Sequence, residues 1–239
     1  MTTKLKKLND KPSARQSAYD TLSRLATAFS SPARLKIIQI LSQSGRNVEE
    51  VAKLIGESTA NASQHLQRLS REGIVTGTRR GTVKTYSISD PKVLIIWEAL
   101  QDLGDKLSPG LKEREDYLTD FSLISQDPLD KILKRVRKGD ALLIDVREEQ
   151  EFLASSVAGA QNIPVLKFKT SSDLKKLHLP KKKPMYLFCR GRFCSMATTV
   201  VALLRQEGYD AYRLVESPYR LRLISGGKGE SKSIAKLIL

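Results

Sequence analysis

Two cysteines among 239 residues cannot build a disulfide framework, and that scarcity points to reduced thiols in a cytoplasmic protein. No apolar run approaches the ~18 residues that a membrane-spanning helix needs, and Met1–Lys7 lacks the apolar stretch of a signal peptide. No membrane partner is therefore expected. Acidic residues are short as well, at 26 against 41 Lys+Arg, which leaves a formal charge of +15 and a pI of about 9.8. There is no internal repeat and no low-complexity tract. What is present, 40% hydrophobic and 28% charged residues, is the material of a globular core and excludes a disordered or collagen-like chain. The length suits one large domain or two small ones. The positive excess asks for a polyanionic partner, most often nucleic acid.

That excess is unevenly spread. Residues 1–90 carry a net +8, residues 91–127 a net −4 and residues 128–239 a net +11. An acidic stretch between two basic ones reads as a connector between domains. Ser108-Pro109-Gly110 and Gln126-Asp127-Pro128 break it into two helical pieces and open the second domain. Val93, Ile96, Trp97, Leu100 and Leu103 predict one apolar face on the first piece. Tyr117, Leu118, Phe121 and Ile124 predict a stripe on the second.

In the first block, Ser31-Pro32 predicts a helix start, with Leu35, Ile38 and Leu41 inward and Gly45 ending it. Asn47-Val-Glu-Glu50 has the form of a capping box, opening a short helix that turns Val51, Leu54 and Ile55 inward and stops at Gly56. A third helix runs from near Ser58 to Arg71, with Ala62, Leu66 and Leu69 buried. Thr59, Asn61, Ser63, Gln64, Gln67 and Arg68 fall on its other side. Two helices joined by a glycine turn, the second with a polar outer face, form a helix-turn-helix whose side chains can read base edges and hold phosphates. Ile74–Ile88 reads as a hairpin turning at Gly81, with Arg79, Arg80 and Lys84 clustered at its tip as a basic wing. The bland alternative is a three-helix unit serving protein contacts. His65 reads as a surface residue or phosphate contact, and Lys4, Lys6 and Lys7 as a solvated tail.

Ser31-Pro-Ala-Arg-Leu-Lys-Ile37, Asn61-Ala-Ser-Gln-His-Leu-Gln-Arg-Leu69 and the Gly81–Tyr86 wing resemble the ArsR family of winged-helix repressors. The resemblance covers roughly residues 20–100. It implies a homodimer on a double-stranded, palindromic operator, with the Ser58–Arg71 helix in the major groove and the helix after the wing in the dimer interface. Metal sensors of the family often carry a cysteine pair in the helix matching Val48–Ile55. None stands there, so no metal is expected.

In the last block, Ala141–Val146 and Met185–Phe188 are continuous apolar runs that predict buried parallel strands. Met196–Glu207 predicts a helix with Ala197, Val200, Val201 and Leu204 inward. Strands alternating with helices indicate an open α/β sheet, whose ligands sit at the carboxyl ends of the strands. Cys189 falls at such an end, in Phe188-Cys-Arg-Gly-Arg-Phe-Cys-Ser195. A thiol in a short loop that enters a helix meets backbone N–H groups and the positive end of the helix dipole, a setting that favours the thiolate. Gly191 permits the curl. Arg190 and Arg192 either draw in an anionic donor or are solvated charges. An inert, buried Cys189 is the alternative, against which the strand-end position and the arginines argue for exposure. His178 and Lys181-Lys-Lys183 read as surface.

Asp145-Val-Arg147, Glu151-Phe152, Val157–Pro164 and the Cys189–Ser195 loop resemble the rhodanese domain over about residues 128–226. The resemblance implies that Cys189 carries sulfane sulfur as a persulfide cradled by the amides of Arg190, Gly191, Arg192, Phe193, Cys194 and Ser195. Asp145 and Arg147 would shape the site. Tyrosine phosphatases place an Arg six positions after the cysteine, where this chain has Ser195. Ser156 replaces a histidine frequent in relatives. Cys194 is either a small filler or a thiol that resolves Cys189 into a disulfide.

The expected fold is therefore two domains: a mainly α winged helix-turn-helix, then an α/β rhodanese-like domain with a parallel open sheet. The expected boundaries are a polar tail at 1–19, the winged helix with its dimerisation helix at 20–104, and a helical connector at 105–127. The rhodanese-like domain follows at 128–226, then a tail at 227–239. The expected function is a cytoplasmic, DNA-binding regulator that carries or senses sulfane sulfur on Cys189. Its partners would be the operator, a second copy, a thiosulfate- or polysulfide-like donor and a thiol acceptor, with no cofactor. Two alternatives stay open: a sulfurtransferase enzyme recruited by its winged helix, and a Cys189/Cys194 oxyanion (arsenate) reductase.

Overall fold

The computed structural model describes residues 11–108, 110–111, 120–168 and 170–225. Lys4, Lys6, Lys7, Tyr117, Leu118 and the expected tail at 227–239 lie outside them. The chain divides into two compact units, Met1–Val93 and Leu94–Leu239.

The first unit begins with α1 (Lys11–Ala28), so the stretch read as a polar tail is helical from Lys11. Its residues 15–24 are largely exposed, and a helix without an apolar face leaves no periodic signal in the sequence. α2 (Pro32–Leu41) starts as expected, but the Ser31 side chain makes no capping hydrogen bond; its carbonyl accepts the Leu35 N–H instead. The helix stops at Leu41, not at Gly45. Gly45 instead makes room for a strand. A β-carbon there would stand 2.8 Å from Ser87 Oγ, so glycine lets β1 (Arg46–Asn47) reach its neighbour. The capping box is formed, Asn47 accepting from the Glu50 N–H and Glu50 accepting from the Asn47 N–H, both at 2.9 Å, and it opens α3 (Val48–Ile55). α4 (Thr59–Arg71) is capped by Ser58 and buries Ala62, Leu66 and Leu69. β2 (Val75–Arg80) and β3 (Val83–Ile88) form the antiparallel wing, and β1 adds a short third strand against β3, giving the order β1-β3-β2. Ile37, Ile38, Val51, Leu66, Leu69 and Tyr86 fill the core.

α5 (Pro91–Leu107) follows the wing, and from Leu94 it belongs to the second unit. Val93 and Trp97 are buried as expected, but Ile96, Leu100, Leu103 and Leu107 are exposed. The inward face instead carries Glu98 and Gln101 beside Trp97. The expected second helical stripe is likewise not formed where it is described: Phe121–Leu123 is a single 3-10 turn capped by Asp120. Leu123 is buried there while Phe121 is exposed, and Ile124 pairs with a strand.

The remainder is a four-stranded parallel sheet in the order β5-β4-β6-β7. β4 (Leu142–Asp145) and β6 (Met185–Phe188) are the central strands expected from sequence; β5 (Ala160–Asn162) and β7 (Ala211–Arg213) are three-residue edges too short to leave a pattern. The side chains alternate between faces. Leu143, Tyr186 and Phe188 pack with α6 (Leu129–Lys138), while Ile144, Leu187 and Cys189 pack with α9 (Met196–Gln206). α7 (Glu149–Ala154), α8 (Ser171–Lys176) and α10 (Pro218–Ser225) complete the domain. Tyr186 accepts from Arg135 of α6 at 3.1 Å and donates to Asp127 at 3.0 Å, and burial with the second bond pushes its hydroxyl up to about 12.

Candidate functional site

The candidate residues fall on two surfaces. On α4, Thr59, Asn61, Gln64 and Gln67 are exposed, and Ser63, His65 and Arg68 are half-buried. Several of these groups hold one another at present: Asn61 donates to Glu57 and Gln67 to Ser63, both at 3.2 Å, while Arg68 lies 3.7 Å from Glu72. Arg79 pairs in register with Lys84 beside the Gly81 turn, so Arg79, Arg80 and Lys84 stand together, all exposed. His178 is exposed, as expected. Lys181, Lys182 and Lys183 are exposed, as expected, with Lys181 donating to the Glu207 carbonyl at 3.2 Å and Lys183 to the Gly139 carbonyl at 2.7 Å.

The thiol loop lies at the carboxyl end of β6 and leads into α9. Gly191 adopts φ +107°, and a β-carbon there would stand 3.3 Å from Ser217 Cβ, so both conformation and space call for glycine. Arg213, which sequence reading passed over, lies fully buried below the loop. Its guanidinium donates to the carbonyls of Arg192 and Cys194 at 3.0 and 3.1 Å and to Thr198 at 2.7 Å. Asp145 and Arg147 form a buried pair at 2.6 Å, with Arg147 also donating to Ser155.

Exposure of Cys189 is not what the loop provides. Cys189 is 1% exposed, and its Sγ donates to the Cys194 carbonyl at 3.2 Å. Burial pushes its thiol up, helped by the neighbouring Cys194, against the pull of the Ala197 N–H and Arg213. Cys194 shows the opposite shift. The neighbouring Cys189 thiol and the N–H groups of Arg190 and Met196 lower it to about 6 against the cost of its burial. The donors that favour a thiolate are thus gathered around Cys194 and not around Cys189.

Both arginines of the loop are paired with carboxylates rather than left to solvent. Arg190 pairs with the buried Glu151 at 2.9 Å. Arg192 forms a two-pronged pair with Asp105 of α5 at 2.6 and 2.7 Å, and Phe193 lies 6.3 Å from Trp97, ring to ring. Beside the loop, Ser217 donates to Glu98 at 2.6 Å and Arg220 to Asp102 at 2.6 Å. Burial raises Glu98 above the usual carboxylate range, while Ser217 and Arg220 pull it back. These partners explain the rotation of α5: its acidic face has cations and a hydroxyl to meet, so its leucines turn outward.

Residues 29–78 match the helix-turn-helix domain family, and residues 128–219 match the rhodanese-like domain family. The chain is 33% identical over 89 residues to the HTH-type transcriptional regulator YgaV of Escherichia coli, covering 37% of this chain and 90% of that one. It belongs to the ArsR-type helix-turn-helix transcriptional regulators. This ArsR-type regulator also carries a rhodanese-like domain. It is 29% identical over 213 residues to the HTH-type transcriptional regulator Rv0324 of Mycobacterium tuberculosis, with 85% of this chain and 88% of the relative covered. Among solved structures it is similar to the homodimeric winged helix-turn-helix DNA-binding domain Mb0332 of Mycobacterium bovis. That match has 30% identity, covers 39% of this chain and 87% of that one, and has a TM-score of 0.38.

Proposed function

We propose that this ArsR-type regulator is a cytoplasmic homodimer that takes sulfane sulfur onto Cys189 and converts that event into a change of operator affinity. In DNA binding, α4 enters the major groove with Ser58, Thr59, Asn61, Ser63, Gln64, His65, Gln67 and Arg68, while Arg79, Arg80 and Lys84 of the wing hold phosphates. The dimer is closed by Ile96, Leu100, Leu103 and Leu107, an apolar stripe left exposed on one side of α5.

The single observation that carries the sensing link is the grip of the thiol loop on that same helix. Arg192 and Phe193, inside the loop, hold Asp105 and Trp97 on one face of α5. The opposite face carries the exposed stripe. Sulfur added next to Cys189 must be accommodated by a loop whose curl is fixed at Gly191 and whose carbonyls are tied to Arg213. The adjustment therefore reaches α5, and with it the dimer that reads the operator.

The test is binding to a duplex selected by the protein from a random library, with reduced and polysulfide-treated protein. Affinity that differs in the wild type and not in Cys189→Ser supports the link. Equal affinity in both states overturns it. The match of residues 128–219 to the rhodanese-like family favours a second reading, a sulfurtransferase that the winged helix merely recruits. Steady turnover lost in Cys189→Ser, with no duplex selected, would support that reading instead.

A further inference from the structure

The sulfur of Cys194 occupies the polar centre of the loop. Cys189 Sγ stands 3.2 Å from the Cys194 carbonyl, so the two thiols are neighbours within one loop, and the N–H groups of Arg190 and Met196 favour negative charge on the Cys194 sulfur. The rhodanese resemblance assigns such amides to the outer sulfur of a persulfide. Here a resident side chain has taken two of them. A persulfide formed on Cys189 must share this cradle with Cys194, inside the short Cys189–Cys194 loop.

We propose that Cys194 resolves the Cys189 persulfide, closing a Cys189–Cys194 disulfide and releasing hydrogen sulfide. The inference rests on the reading of Cys189 as the sulfur carrier. The Cys194 thiolate attacks Cys189 Sγ, an Sγ–Sγ bond forms and the bond from Cys189 Sγ to the outer sulfur breaks. The outer sulfur leaves with the electron pair as HS⁻, keeping the proton it carried. It is reduced to sulfide as the pair of cysteines is oxidised to the disulfide. An external dithiol restores the loop, becoming a disulfide as it returns both cysteines to thiols.

The surroundings suit this exchange. Cys194 is the more accessible of the two and the one whose surroundings lower its thiol, as suits an attacking thiol. Arg213 keeps the Cys194 carbonyl satisfied after the Cys189 S–H donor is consumed. Between the joined sulfurs lie Arg190–Phe193, which include both residues that grip α5. The disulfide would then be the lasting signal, surviving loss of the sulfur donor until a dithiol removes it.

The experiment treats full-length protein with one equivalent of tetrasulfide under argon, removes the excess, and follows sulfide release and intact mass without added thiol. The wild type should release one sulfide per chain, lose both free thiols and yield a peptide pair linked through Cys189 and Cys194. Cys194→Ser should instead retain one extra sulfur on Cys189 and release sulfide only when dithiothreitol is added. A wild type that keeps the extra sulfur on Cys189 with Cys194 alkylatable overturns the resolving role alone. Cys194→Ser that takes up no sulfur on Cys189 overturns the carrier reading, and this inference with it.

Discussion

At Cys189 a negative charge would lie in an apolar core, whereas the neighbouring Cys194 sulfur has two backbone N–H groups and a thiol beside it. Alkylation of Cys194 should therefore climb as pH rises through about 6 and level off above it, because the thiolate is the reacting form. Cys189→Ala removes the neighbouring thiol that lowers Cys194 and should move that midpoint upward. A wild-type midpoint at the ordinary thiol value of about 8.5 would contradict the arrangement. Arg213 is the second residue on which the loop depends. Replacement by Met removes the guanidinium from the part-buried Arg192 and Cys194 carbonyls, for an expected loss of about 3 kcal/mol in denaturant unfolding of the rhodanese-like domain. No loss would mean that the loop supports itself. Cys189 was legible in the sequence because a thiol between an apolar run and a helical stripe is an unusual pattern. Arg213 was not, because one arginine beside Tyr212 in a three-residue strand looks like any surface charge. The clue was its place within a buried strand.

The elements follow the same division. α4 and the wing were readable because each has a strong local cause: a capping serine, a helical apolar stripe, a glycine turn. Gln64→Ala should weaken binding at one base position by about 1–3 kcal/mol, read by competition between duplexes. The double change Arg79→Ala and Arg80→Ala should instead weaken all sequences alike and lower the salt slope by roughly 2. α5 was legible as a helix, but not in its rotation. Its apolar stripe predicts an inward face, yet Glu98, Asp102 and Asp105 meet Ser217, Arg220 and Arg192, and those partners lie far along the chain. Long-range ion pairing leaves no periodic trace. Asp105→Ala should therefore abolish the sulfur-dependent change in operator affinity while Cys189 still takes up sulfur. A response that persists would show that the Arg192–Asp105 pair is not the transmitter.

For the whole molecule, the charge of +15 divides between surfaces with different uses. The cluster at Arg79, Arg80 and Lys84 is offered outward, whereas Arg147, Arg190, Arg192 and Arg213 are spent within the rhodanese-like domain on carboxylates and carbonyls. Net charge alone overstates the DNA footprint. The exposed stripe on α5 sets the expected assembly: Leu100→Glu with Leu103→Glu should reduce the mass in sedimentation to one chain and weaken operator binding together. Sensing at Cys189 is decided by operator affinity before and after sulfur treatment, in the wild type and in Cys189→Ser. The expected result is a shift of roughly tenfold in the wild type, a coupling of ordinary size, and none in the variant. Identical affinities for reduced and sulfur-treated wild type, with sulfur chemistry at Cys189 verified by mass, would contradict it.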